Sequence, residues 1–134
     1  MQQKKSVERR KYMRLAIGTK VIFRAVLEKK KEAAPKEKVS ALSRNMSVEG
    51  ICFRADRDVA SGAEVELEIF LPSEPEPLLL EGEIKWSQPV LTKEDKKMFD
   101  IGVQLSTFAK NDENRYMRYV CEKMTERLSR YLHL

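Results

Sequence analysis

Apolar and polar residues alternate through several short stretches of the chain. In KVIFRAVL (20–27), Val21, Phe23, Ala25 and Leu27 share one face, and in EVELEIFL (64–71), Glu64, Glu66 and Glu68 oppose Val65, Leu67, Ile69 and Leu71. A period of two residues is that of a half-buried strand. The same reading places strands at 38–44, 50–55, 78–88 and 99–106, the last setting Phe99, Ile101, Val103 and Leu105 against Asp100, Gly102 and Gln104. Short strands at this density, parted by turn residues, predict an antiparallel barrel or a sandwich.

The connections EKKKEAAPKEK (28–38), PSEPEP (72–77) and TKEDKK (92–97) are charged or proline-rich and read as surface loops. From Asn111 the period changes. Met117, Cys121, Met124, Leu128 and Leu132 recur every three or four residues, so 111–132 is expected to be a helix with Asn111 or Asp112 near its cap and Glu126–Arg130 as an i,i+4 pair. The apolar stripe either covers an end of the barrel or meets a second copy, and packing on its own barrel is the expectation. Cys52 and Cys121 have no second Cys or His at ligand spacing and read as small core residues, not as a metal or redox site.

Length and charge sharpen this picture. A chain of 134 residues fits one domain with a core large enough to stand without staples. Its parts read as a basic arm (1–15), a barrel (16–110) and a C-terminal helix (111–134). Residues 1–14 hold six Lys/Arg and one acid, and the remaining 120 hold twenty of each sign, so the whole net charge of +5 lies in the arm. A protein that grips long nucleic acid through its body shows an excess of cations there, and this body is neutral. No apolar run suits a membrane span or a secretory signal, which makes the cytoplasm the expected location. The only histidine is His133, and no nucleophile elbow, phosphate loop or HExxH pattern is present, so an enzyme is not expected.

Two motifs remain. RKYMR (10–14) places Arg10 and Arg14 four apart, and NMSVEG (45–50) sets Asn45, Ser47 and Gly50 between two expected strands, where a positive-φ glycine would serve a turn. In this order, framing the first strand of a barrel, they resemble the signature of the PilZ domain, the bacterial receptor module for cyclic di-GMP. GEIKW (82–86), ending in Trp86, and FDIGVQL (99–105) are similar to the family as well. The resemblance covers about 8–110 and implies a mainly β fold, a six-stranded antiparallel β-barrel with a C-terminal helix.

It also implies a ligand. Cyclic di-GMP presents two phosphates and two guanine edges, each edge with adjacent N7 and O6 acceptors, and an arginine fork matches both groups. Arg10 and Arg14 would grip guanine edges and phosphates, Asn45 and Ser47 would hydrogen-bond a guanine, and Gly50 would keep the surface clear. Arg9, directly before RxxxR, points in the family to an intercalated dimer of the ligand. Lys11 adds charge, Arg44 and Arg54 flank the turn, and Trp86 either offers its face to the site or fills the barrel mouth. Tyr12 is a candidate anchor of the arm. The expected role is a stand-alone receptor that changes the conformation of its arm on binding and signals to a separate effector protein, as a monomer or weak homodimer. Two alternatives stay open: a small RNA- or DNA-binding barrel that uses the arm, and a PilZ-fold adaptor that binds no nucleotide.

Overall fold

A computed structural model describes residues 16, 18–26, 37–72, 74–109 and 111–132. Six strands, β1 (Lys20–Ala25), β2 (Val39–Met46), β3 (Gly50–Ala55), β4 (Glu64–Phe70), β5 (Leu78–Leu91) and β6 (Lys97–Phe108), precede one helix, α1 (Asp112–Leu132). All neighbours are antiparallel and the sheet closes in the order β1-β2-β3-β6-β5-β4. Closure leaves no strand edge open to a foreign chain.

The alternation seen in the sequence decides what fills the barrel. Val21, Phe23 and Ala25 of β1, Val65, Leu67 and Ile69 of β4, and Ile101 and Val103 of β6 all point inward and are buried. Phe23 and Phe53 meet across the interior with ring centroids 4.8 Å apart. Full burial of a side chain of this kind contributes about 1.5–3 kcal/mol.

Element boundaries differ from expectation in three places. β2 runs on to Met46, so Asn45 lies in a strand and the turn proper is Ser47–Glu49. β5 and β6 extend toward each other to Leu91 and Lys97 because eleven register pairs sustain that hairpin. Residues 27–36, expected to end β1 and form the charged loop, lie outside the described residues.

Helix α1 corrects the expected stripe. The helical side chains buried on the barrel are Tyr116 and Val120, while Cys121 is exposed and Leu128 is 45% exposed. Met117 and Met124 of the expected stripe do pack against the core, but Cys121 and Leu128 do not, and Cys52, although buried, stands in the outward row of β3 and outside the core cluster. Glu126 pairs with Lys123 (3.4 Å) and not with Arg130. The first turn is well tied: the Leu79 amide donates to Asp112 Oδ2 (2.8 Å), and Arg115 holds Glu74 (3.0 Å), Asp112 (2.9 Å) and the Glu76 carbonyl (2.6 Å).

Candidate functional site

The Asn45–Gly50 segment gains its geometry from a bulge. Ser43 pairs with Phe53 and Asn45 with the next residue of β3, Cys52, so Arg44 is the extra residue in β2. Strict alternation would turn Asn45 inward. The bulge turns Arg44 and Asn45 both toward the outer surface and returns Met46, fully buried, to the core.

Asn45 begins a row across four strands, for Asn45 pairs with Cys52, Cys52 with Gly102, and Gly102 with Trp86. Three strand spacings make this row about 14 Å wide. Its middle positions carry little side chain of their own, Cys52 being small and Gly102 a glycine. Trp86 stands on the outer surface, 39% exposed, and lies on Gly102, where a Cβ would collide with the indole. It does not fill a barrel mouth: a second bulge, between Ile84 and Trp86, turns the indole outward after the buried Ile84. One face of the ring rests on backbone, and the ring keeps exposed surface for stacking.

The neighbouring outward row is Leu42, Arg54, Asp100 and Gln88. Arg54 clamps Asp100 with both ends of its fork, Nε to Oδ1 at 2.7 Å and Nη2 to Oδ2 at 3.1 Å, and this pairing raises its pKa further. Arg54 is therefore engaged as a side wall and is not a free anion ligand. Arg44 is exposed and has no ion-pair partner among the described residues.

The turn is braced from several sides. The Ser47 amide and, at 3.4 Å, its hydroxyl donate to the Gly50 carbonyl, while the Leu105 amide donates to the Glu49 carbonyl (3.0 Å). Beneath it, the buried Tyr116 hydroxyl donates to the Ser47 carbonyl at 2.6 Å, with the Gly50 carbonyl at 3.2 Å. Burial raises the Tyr116 pKa. Gly50 corrects its expectation. Its φ lies outside the left-handed region, and the reason for glycine is the approach of β6, since a Cβ would come within 2.8 Å of the Val103 carbonyl oxygen.

Thr19 anchors the start of β1 to the strand that leads into this turn. Its amide donates to Ser43 Oγ (2.8 Å), its carbonyl accepts the Ser43 amide (2.8 Å), and its hydroxyl reaches the Phe70 carbonyl. Ser43 lies four residues before Ser47, about 13 Å along the strand. Arg9, Arg10, Lys11, Tyr12 and Arg14 lie outside the described residues. Covalent geometry alone lets Arg14 range up to about 18 Å from Thr19 and Arg10 up to about 32 Å. Sequence reasoning missed Tyr116, although Tyr116, Val120 and Met124 also recur at a spacing of four.

Comparison with known proteins agrees with this geometry. The sequence matches the model of the PilZ domain over residues 8–122. No curated protein matches it significantly. Among solved structures, the fold is similar to the inhibitor of motility MotI/DgrA of Bacillus subtilis, with TM-score 0.64 and 21% identity over 88% of this chain and 52% of that one. K. pneumonia MrkH in its apo state gives TM-score 0.69 and 12% identity over 91% and 53%. The PilZ domain of YcgR from Escherichia coli, solved with c-di-GMP, gives TM-score 0.59 and 9% identity over 94% and 99%. The chain thus spans about half the length of MotI and MrkH and nearly all of the YcgR domain.

Proposed function

Because the chain belongs to the PilZ domain family, we propose that it is a receptor for cyclic di-GMP. The observation that supports this reading is the tie between Thr19, five residues after Arg14 in the sequence, and Ser43, on the strand that presents Asn45 and leads into Ser47. The YcgR domain, a structural neighbour, was solved with c-di-GMP, and MrkH also forms a c-di-GMP complex.

The described part of the site carries little free positive charge of its own, with Arg54 committed to Asp100 and Arg44 the one exposed guanidinium beside Asn45. Phosphate charge is therefore met by the arm. Arg10 and Arg14 offer planar forks that bind a guanine edge or a phosphate bidentately, where lysine supplies charge alone. Asn45 meets a base edge from the barrel side. Ser47 adds its hydroxyl at little cost, since its 3.4 Å contact is long and the Gly50 carbonyl has other donors. The indole of Trp86, lying over Gly102 and partly exposed, offers the stacking surface for a flat base. Arg9 serves a second, intercalated ligand by offsetting part of the added phosphate charge. Binding draws the arm onto the barrel, and the surface so formed is what a separate effector reads in the cytoplasm.

Calorimetry in physiological salt tests the reading, with cyclic di-GMP and single-stranded RNA as separate titrants. Saturable binding of the dinucleotide alone is expected, at about two ligands per chain in the wild type and one in Arg9→Leu. Silence with cyclic di-GMP, together with salt-dependent RNA binding, would transfer the function to the nucleic-acid alternative. A ratio of one that Arg9→Leu leaves unchanged would remove the second ligand and keep the receptor.

A further inference from the structure

Tyr116 is the one fully buried tyrosine among the described residues, and its hydroxyl sits under both ends of the turn that bears Ser47 and Gly50. A hydroxyl has one proton. At 2.6 Å the Ser47 carbonyl takes most of it, while the Gly50 carbonyl, 3.2 Å away, also accepts the Ser47 amide at 2.9 Å. The turn therefore closes on itself and is pinned to the helix by a single polar atom. The ring cannot drift, because it packs against Phe108 (5.7 Å between centroids) and the preceding helical turn is tied to Leu79, Glu74 and Glu76.

Beyond Val120 the helix is different. Cys121, Thr125 and Leu128 are exposed, while Met124 still packs against the core. A shift of the turn is thus delivered to the buried stretch of the helix that leads into its more exposed C-terminal part.

We propose that Tyr116 is the positioning residue of the nucleotide site, presetting the Ser47–Gly50 turn for the ligand and coupling its occupancy to α1. This rests on the receptor reading above. Coupling of this kind is reciprocal, so whatever the ligand does to the helix through the hydroxyl, loss of the hydroxyl does to the ligand.

Tyr116→Phe in the full chain keeps the ring and removes the donor. Without nucleotide, amide exchange at Ser47 should quicken by about threefold to tenfold while the amides of β1 and β4 keep their wild-type rates. Affinity for cyclic di-GMP, read by calorimetry, should fall by a similar factor. In the wild type, saturating cyclic di-GMP should slow exchange in residues 116–124, and the variant should lose that response. Equal affinities, or exchange accelerated uniformly across the barrel, would reduce Tyr116 to an ordinary core residue. No ligand-induced change at 116–124 in saturated wild type would overturn the coupling without using any variant. If the wild type binds no cyclic di-GMP, the receptor reading falls, and the ligand-free exchange measurement still decides whether Tyr116 sets the turn.

Discussion

Two outer faces of one barrel carry opposite chemistry. Across β2, β3, β6 and β5 runs an uncharged row, Asn45, Cys52, Gly102 and Trp86, beside the paired Arg54 and Asp100. Across β1, β4 and β5 lies a groove of about 390 Å³, lined by Ile22, Leu79 and Phe108 and by Arg24, Lys38, Glu66, Glu68 and Glu81. Its register sets Glu64 opposite Glu83 and Glu66 opposite Glu81, like charges that oppose pairing. Arg24 (3.1 Å from Glu66) and Lys38 (2.7 Å from Glu68) offset part of this. This concavity is therefore the wrong one for a ligand with two phosphates. Depth gives apolar contact, but a carboxylate wall repels the anion.

The largest effect that sharpens this contrast belongs to the arm. Arg10→Ala and Arg14→Ala should each weaken cyclic di-GMP binding about 30- to 150-fold, the loss of a bidentate charged contact that leaves ligand acceptors unpaired. Arg10→Lys should recover little of it. Glu81→Gln, in the opposite groove, should change affinity less than about twofold, since exposed charges at that distance are screened. A lysine variant equal to wild type would reduce Arg10 to a point charge. A strong response to Glu81→Gln would move the ligand to the other face.

A smaller effect tests the barrel side of the site. Asn45→Ala and Trp86→Ala should each cost about threefold to tenfold in affinity, from one hydrogen bond or one stacking surface. Only Asn45→Ala should also narrow the preference for cyclic di-GMP over cyclic di-AMP, because an amide reads a base edge and an indole reads only a face. Both side chains stand on the outer surface, so melting temperatures should stay within a few degrees of wild type. Loss of base preference in Trp86→Ala alone would reverse the two roles.

Much of this arrangement is legible in the sequence, and what is not shares one cause. The strand alternation and the Asn45–Gly50 motif are local patterns, and they marked the barrel and that segment, while the arginine motif lies outside the described residues. The bulge at Arg44 is not local: it exists because β2 must pair with β3 in a register that its own alternation does not reveal. Arg54 looked available until the register set it opposite Asp100. Gly50 looked like a turn residue, but the Val103 carbonyl on β6 is what demands it. The helix stripe was half right for the same reason. Met117 and Met124 pack against the core, but Cys121 and Leu128 keep the same helical period and stay exposed, while Tyr116 and Val120 are the side chains that the barrel end buries.

The smallest expected effect is a pH dependence that separates the braced turn from the surface around it. Burial raises the Tyr116 pKa above the ordinary tyrosine value of 10.0. A group whose charged form is disfavoured in the folded state binds its proton more tightly there than in the unfolded chain. Its contribution is thus fully present below pH 10 and is lost as pH rises through the interval between the unfolded and folded pKa values. The melting temperature should fall on the alkaline side of pH 10, and Tyr116→Phe should flatten that limb while starting from a lower plateau. Tyr119, also raised by burial but much less enclosed, contributes a weaker slope of the same sign. Tyr119→Phe is therefore the control: it should leave most of the alkaline limb in place, and a limb that vanishes with Tyr119 and survives the loss of Tyr116 would show that the hydroxyl under Ser47 is not held as the geometry requires.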